Sequence, residues 1–298
     1  MMKISIVIPN RNGANLLKKN LPSVLAAAKG AELIVVDDAS TDDSLKLLKN
    51  TCPSVRVVRK VRHDGYASTV NAGVREAHGD VVVLLNSDVR PEKDFLAPLI
   101  KHFDDPSVFA VGCLEKSHEK GSIVLRGRGE AKWEKGFFIH WRGEVDQTTT
   151  AWVAGGSGAF RKSIWEKLGG MDTIYDPFYW EDIDLSYTAL KAGYRILFER
   201  KAVVAHEHET GAIKQAYSKG FVNMIAYRNQ FLFIWKNMSD PKILFAHALW
   251  TPVRLVQALF QGNFALISGY VRALSYLPSV YQSRLKSSRY WKVSDRAL

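Results

Sequence analysis

The feature that most constrains this chain is an alternation, within the first part of the sequence, of short unbroken apolar runs with stretches of helical periodicity. Residues 3–9, 32–38, 55–59 and 80–85 are runs of strand length, mostly Val and Ile without polar alternation. Such runs read as parallel strands covered on both faces. Between them, residues 15–29, 42–50 and 67–78 carry apolar side chains at the spacing of one helix face. A β-α-β-α-β-α-β order implies right-handed crossovers, so the expected fold is α/β: a Rossmann-like, doubly wound, mostly parallel sheet. In such sheets ligands bind beyond the carboxyl ends of the strands. Those ends read Pro9-Asn10-Arg11-Asn12-Gly13, Asp37-Asp38-Ala39-Ser40 and Asn86-Ser87-Asp88, polar in every case. No G-x-G-x-x-G follows the first strand, which counts against a dinucleotide-binding domain.

Beyond residue 100 the periodicity weakens. A strand is expected around 108–114, followed by irregular strands and a mobile loop up to residue 150, then a helix over 182–191 and a strand from 195. After residue 213 the chain reads as helical, broken by Pro241, Pro252 and Pro278. With 47% hydrophobic residues among 298, a sizeable core is available. Cys52 and Cys113 are the only cysteines, which excludes a disulfide-stapled fold and offers no zinc spacing. The N-terminal apolar run is short for a secretion signal and reads as a first strand, so a cytoplasmic location is expected.

Charge is unevenly placed. Of 41 Lys and Arg, 12 lie in residues 214–298, against only Asp240 and Asp295. The rest of the chain is close to neutral. A basic segment can bind nucleic acid, but one rich in Trp, Phe, Tyr and Leu suits an anionic membrane surface better.

Several constellations suggest chemistry. Asp37-Asp38 precedes Ser40 and Asp43, which have the spacing of a helix cap. A cap does not need both preceding acids, and one can accept hydrogen bonds from a ligand's base or ribose. Asp88, beside Ser87 and Asn86, suits a hard divalent cation that also holds phosphate oxygens; its structural alternative is an Asx turn into a helix beginning at Pro91. Trp180-Glu181-Asp182-Ile183-Asp184 sets three acids at a helix start, where the macrodipole accounts for one and a general base for another. His206 and His208 are candidate imidazole ligands, with His206 preferred.

Taken in order, Ile6–Asn12, Asp37–Asp42, Gly65-Tyr66, Asn71-Ala72-Gly73, Leu84–Asp88, Gly155–Arg161, Leu168–Asp172 and Tyr179–Leu185 resemble a family 2 glycosyltransferase, over about residues 3–208. The likeness is greatest to rhamnosyltransferase-like members that build bacterial surface glycans. The resemblance implies a GT-A fold, with residues 1–212 as catalytic domain (nucleotide-sugar half 1–115, acceptor half 116–212) and 213–298 as a basic, aromatic-rich helical extension. It implies that Asp38 meets the nucleobase, with Pro9, Arg11 and Asn71 nearby, and that Ser87 and Asp88 face the diphosphate. Mn²⁺ or Mg²⁺ would be held by Asp88 and His206. Asp182 would be the catalytic base, with Glu181 beside it, and Trp152, Gly155, Gly156 and Trp180 would border sugar and acceptor. Two positions depart from the family pattern: Asn86 replaces the first acid of D-x-D, and Ala39 replaces a glycine.

The implied reaction is inverting transfer of a sugar from a nucleoside diphosphate to a hydroxyl of a glycan or lipid-linked acceptor in envelope polysaccharide synthesis. Competing readings are a sugar nucleotidyltransferase, for which the loop after the first strand is a poor phosphate cradle, and a nucleotide-sugar binding protein without transfer activity. Nucleic acid is not expected as a partner, since acids at 38, 88 and 182 would repel its phosphates. The segment 255–271 is shorter and more polar than a membrane span requires. It is expected either to pack on the catalytic domain or to lie on the inner face of the plasma membrane, with a basic tail at 284–296 meeting headgroups.

Overall fold

The computed structural model describes every residue except Met1, Lys29, Lys120, 207–212 and 214–215. Its centre is a nine-stranded mixed sheet. Strands β1 (Ile4–Asn10), β2 (Glu32–Asp37), β3 (Arg56–Arg59) and β4 (Val81–Leu85) lie in the order β3-β2-β1-β4 and are all parallel. Helices α1 (Ala14–Ala27), α2 (Ser44–Thr51) and α3 (Tyr66–Glu76) make the crossovers. The alternation seen in the sequence is therefore the alternation of the fold. β3 is the exception to double coverage: as the edge strand it is largely exposed.

The pleat of β1 separates two cores. Ile6 and Ile8 join Leu17 and Leu21 of α1 on one side, while Val7 meets Val70 and Val74 of α3 on the other. Past β4 the sheet becomes mixed. β5 (Val89–Pro91) is short, so Pro91 sits in a strand, and the next helix, α4, begins only at Leu96 (Leu96–Ile100). β6 (Val108–Glu119) and β7 (Ser122–Arg126) form one hairpin; β8 (Gly129–Glu134) and β9 (Phe137–Arg142) form a separate two-stranded sheet. Where the sequence suggests irregular strands and a mobile loop, the strands are there but form two regular hairpins. Their Lys-rich, aromatic sequence hides the signal because β8 and β9 use their rings to cover helices far along the chain.

β10 (Ser157–Arg161) runs antiparallel between β4 and β6, followed by α5 (Lys162–Leu168) and α6 (Glu181–Lys191). β11 (Arg195–His206) runs parallel to β6 and is much longer than its N-terminal apolar run suggests. Because β10 is reversed, its first residues and the last of β1, β2, β4 and β11 reach the same rim: Ser157 pairs with Leu85, and Asn10 with Asp37.

The C-terminal helices are α7 (Lys219–Asn237), α8 (Pro241–Phe260), α9 (Phe264–Leu274) and α10 (Leu277–Ser288). Pro241 starts α8, as its fixed φ allows, but Pro252 lies inside that helix and does not break it. α7 is the centre of this group. Phe231, Leu232, Phe233 and Ile234 are all buried, because β9 and α6 cover one side and α9 and α10 the other. Gly269 lets α9 approach closely, since a Cβ there would lie 2.8 Å from the Met224 carbonyl oxygen. The basic tail expected to meet lipid is partly used internally. Arg284 donates to the carbonyls of Trp235, Lys236 and Met238 at the end of α7, and Arg296 pairs with Asp240.

A fully buried ion pair joins the tail to α6: Lys191 Nζ lies 2.7 Å from Asp295 Oδ1, with both side chains 0% exposed. Asp295 also accepts from Tyr187 Oη, from the Ser239 hydroxyl and from the backbone N–H of Asp240. Removing one partner leaves an uncompensated charge. Lys191→Met is expected to lower unfolding free energy by about 3–5 kcal/mol in a urea titration, whereas a change under 1 kcal/mol would show that the tail is not fastened there.

Candidate active site

At the ends of β1 and β2 the first loop is built by side chains from both strands. Asn10 Nδ2 donates to Asp37 Oδ1 (3.2 Å) and to Ser40 Oγ (3.3 Å), and the Ser40 amide donates to Asp37 Oδ2 (3.1 Å). Ser40 Oγ also accepts from the Asn12 amide. Ser40 therefore ties two loops together and is not the cap of α2, whose first residue is Ser44. Ala39 has φ = +55°, which explains the glycine usual at this position: the left-handed region costs a Cβ-bearing residue about 1 kcal/mol.

Asp37 is consumed by this scaffold, while Asp38 faces across it. Asp38 is 3% exposed, with Lys60 Nζ at 2.8 Å and His63 Nδ1 at 2.5 Å. Burial alone would raise its carboxyl, but Lys60 and His63 outweigh it and hold the group below the usual carboxylate range. Arg11 Nη1 donates to the Asp38 carbonyl oxygen (2.8 Å), and half-buried Pro9 precedes this loop in β1.

Beyond β4, the Asn86 amide donates to the Gly156 carbonyl, and its side-chain oxygen accepts from Tyr66 Oη at 3.0 Å. A Cβ on Gly156 would lie 2.4 Å from Asn86 Nδ2, so this approach requires glycine. The Ser87 carbonyl accepts from Asn20, which fixes the turn carrying Asp88. His206, at the end of β11, brings Nε2 within 3.3 Å of Asp88 Oδ1 and Nδ1 within 3.5 Å of Glu115 Oε2. Burial lowers the His206 pKa, but the two carboxylates raise it to about 10. Glu115 also accepts from the Ser157 hydroxyl. His208, the other candidate imidazole, lies outside the described residues, as do Glu207 and Glu209.

Asp88 and His206 suit a divalent cation, which would take the place of the imidazolium proton between them. Asp88 Oδ1 is buried, accepts no hydrogen bond among the described residues, and points at an imidazole nitrogen, a mixed oxygen–nitrogen donor pair. No group of three such side chains among the described residues could hold an ion by itself, so a ligand's oxygens would have to complete the shell.

The acid pair at the start of α6 stands on a strained turn. Tyr179 and Trp180 have φ = +72° and +79°, where non-glycine residues are rare. Helix α7 holds them there. The buried Asn229 donates through Nδ2 to the carbonyls of Tyr175 (2.7 Å), Phe178 (3.0 Å) and Tyr179 (2.8 Å), and Arg228 donates to those of Tyr175 (3.1 Å) and Asp176 (2.6 Å). Beyond this turn, Asp182 Oδ2 accepts from the Gly155 amide at 3.2 Å, so the glycine loop and α6 meet at that carboxylate. Burial pushes both Glu181 and Asp182 up, and repulsion from Asp182 raises Glu181 further. Glu181 Oε2 has no hydrogen-bond partner among the described residues. The third acid, Asp184, points into the protein and pairs with Lys236 (2.6 Å) and Asn237 (2.6 Å) of α7.

The two regions face one space. The Tyr66 hydroxyl, raised by burial, also feels the charges of Glu181, Asp182 and Asp88. Trp152 and Trp180 both pack edge-to-face with His140, at ring separations of 5.3 and 5.0 Å. Asn71 stands apart: both ends of its amide bond to the Met171 backbone, so it builds the wall under the glycine loop. Lys60, His63, Glu115, Asp176, Arg228 and Asn229 were not legible as site residues. Each is an ordinary polar residue in sequence, with no spacing signal, and takes its meaning from partners far along the chain.

These features define an α/β protein with acidic side chains gathered at the carboxyl rim of its sheet. The profile of Glycosyl transferase family 2 matches residues 5–169, more than half the chain, and the protein belongs to that family. It is 30% identical to a pre-mycofactocin glycosyltransferase of Mycobacterium tuberculosis over 70% of this chain and 43% of that one. It is 26% identical to the O-antigen chain rhamnosyltransferase RfbN of Salmonella typhimurium, over 70% and 67%. The chain thus spans less than half the length of the mycobacterial relative. GalNAc-T7, solved with UDP, GalNAc and Mn²⁺, superposes with a TM-score of 0.65 at 18% identity, covering 83% of this chain and 50% of that one. The Pyrobaculum calidifontis mannosyltransferase PcManGT, in complex with GDP-Man and Mn²⁺, gives 0.58 at 19% identity, over 99% and 82%. The fold is GT-A, a mixed, mostly parallel sheet followed by a helical C-terminal region.

Two substitutions test this account. Asn229→Leu should cost about 2–4 kcal/mol, because the Phe178 and Tyr179 carbonyls lose their donor, Tyr175 keeps only Arg228, and the strained turn loses its brace. Unchanged stability by urea unfolding would show that the turn holds itself. Ala39→Gly should raise stability by about 1 kcal/mol, seen as a higher Tm, since the left-handed backbone no longer crowds a Cβ.

Proposed function

We propose that this protein is an inverting, metal-assisted glycosyltransferase that moves a sugar from a nucleoside diphosphate to a hydroxyl of a glycan or lipid-linked acceptor. The observation that carries the reading is that the Tyr66 hydroxyl, bonded to Asn86 and packed against Gly155, links the turn of Asp88 and His206 to the glycine loop whose Gly155 amide meets Asp182, with Glu181 beside it. In this reading residues 1–212 form the catalytic domain and 213–298 a helical extension that also braces it.

The base end of the donor would lie against Pro9, Arg11 and Asp38, where a base N–H would compete with Lys60 or His63 for the carboxylate. The diphosphate would pass Ser87 and Asp88, and the sugar would lie by Gly155, Gly156, Trp152 and Trp180. Mn²⁺ or Mg²⁺ held by Asp88 and His206 would offset negative charge on the departing diphosphate. Asp182 takes the acceptor proton as the acceptor oxygen bonds to the anomeric carbon and the carbon–diphosphate bond breaks. One displacement without an enzyme nucleophile inverts the configuration. Glu181, more deeply shielded, remains protonated longer, leaving Asp182 as the base. Likeness to RfbN supports a deoxyhexose donor and a role in envelope polysaccharide. The free thiols of Cys52 and Cys113 suit a cytoplasmic, reducing setting.

The test is donor turnover, with and without acceptor sugars, across UDP-, dTDP- and GDP-sugars. Activity is expected with Mn²⁺ or Mg²⁺, lost with EDTA and restored by the ion. Asp182→Asn should reduce turnover by about 10³-fold while a thermal shift still reports donor binding. Because Asp182 must be ionised and burial raises its pKa, kcat should climb with pH through a midpoint above the ordinary carboxylate range. Donor binding with no turnover under any condition would favour a non-catalytic binding protein, and pyrophosphate release from a nucleoside triphosphate with a sugar phosphate would favour a nucleotidyltransferase.

A further inference from the structure

We propose that the outward face of α8 and α9 seats in the headgroup layer of an anionic bilayer, with α8 lying in the membrane plane. α8 is 20 residues long, and its most apolar 18-residue stretch has a mean hydropathy of 1.4, yet only 17% of that stretch is buried. Phe245 is 70% exposed, Phe260 86% and Phe264 64%, with Leu249, Val256 and Leu259 also exposed along the same helix. Single exposed apolar residues are ordinary, whereas a continuous face of this kind marks an interaction surface.

Charge selects the partner. Between Asp240 and Asp295 the sequence contains seven Lys and Arg and not one acid. Between Lys242 and Arg272 the only such cation is Arg254, and it is turned inward, its guanidinium 3.8 Å from the Phe137 ring. The face itself is therefore uncharged, with Lys242 and Arg272 at its ends and exposed Lys286, Arg289 and Lys292 on the segment that follows. An apolar stripe bordered by cations fits lipid tails below and anionic headgroups around. A second copy of the chain would bring a like-charged surface against it.

The opposite side of α8 explains why the helix would lie flat. His247 Nδ1 donates to the Gly136 carbonyl (2.9 Å) and its Nε2 accepts from Trp235 Nε1 (3.1 Å), while Lys135 lies 4.3 Å from the Trp250 ring. A helix crossing the bilayer would lose these bonds and carry Arg254 into hydrocarbon, which is costly. This orientation rests on packing and charge alone and stands apart from the catalytic reading.

The experiment is flotation of the full chain with vesicles of phosphatidylcholine, alone or mixed with phosphatidylglycerol, with no sugar nucleotide present. Partition is expected to be at least about tenfold stronger on the mixed vesicles and to weaken with salt. The triple variant Phe245→Ser, Phe260→Ser, Phe264→Ser should lose about tenfold or more of it with an unchanged Tm, since these rings are exposed. Ile123→Ser, exposed on β7, should change nothing. Absence of binding to mixed vesicles would overturn the proposal. So would resistance of the bound protein to alkaline carbonate, which indicates a spanning helix, or a dimer that the triple variant dissociates, which indicates that a second copy covers the face.

Discussion

The site depends above all on one buried amide. Asn229 binds three carbonyls of the 175–179 turn, those of Tyr175, Phe178 and Tyr179, and Arg228 secures the same segment from the adjacent position on α7. Two left-handed residues in a row, at about 1–3 kcal/mol each, would relax without such over-determination. Relaxed, the turn would start α6 at a different angle, and Glu181 and Asp182 would leave the glycine loop. The aromatic cluster of Phe137, Phe138, Trp180, Tyr187 and Phe233 supplies the complementary constraint by filling the space between the β8–β9 hairpin, α6 and α7. The C-terminal region is in this sense part of the site's foundation.

Electrostatics at the rim follow from crowding acids where water is scarce. Each carboxylate is handled differently. Asp37 is absorbed by loop hydrogen bonds, Asp38 is neutralised by Lys60 and His63, and Asp184 is paired with Lys236. Asp88 and Glu115 share His206. Asp182 and Glu181 have no cationic partner within salt-bridge distance among the described residues, and burial pushes both carboxyls up, as it does Asp176 and the Lys236-paired Asp184. Acids that look alike in sequence are sorted by which partners reach them: hydrogen-bond donors for Asp37, cations for Asp38 and Asp184, and, among the described residues, neither lysine nor arginine for Glu181 and Asp182.

Much of the fold was legible because its cause is local. Apolar runs without alternation identified the parallel strands, and helical spacing identified the crossovers, so the rim that carries Asp38 and Asp88 followed from topology. Where the reading failed, the deciding partner was remote. The β8–β9 hairpin shows no clean period because its rings, Trp133, Phe137 and Phe138, face Phe231 and Phe233 of α7, about a hundred residues later. Ser40 has the spacing of a cap yet bridges two loops, since Asn10 and Asn12 reach it first. Pro252 lies within α8 without ending it, exposed on a helix that continues for a full two turns beyond it.

Sequence by itself determined the order of elements, the family, the rim on which polar groups gather and the basic character of the C-terminal helices, because each depends on patterns a few residues apart. Tertiary structure decided which acid faces which cation, that α7 braces the turn before the acid pair, and that α8 keeps an apolar face open. Those outcomes hang on contacts between residues fifty to more than a hundred positions apart, such as Asn229 with Tyr179 or His206 with Asp88. Periodicity carries no information at that range, and only packing selects the partner.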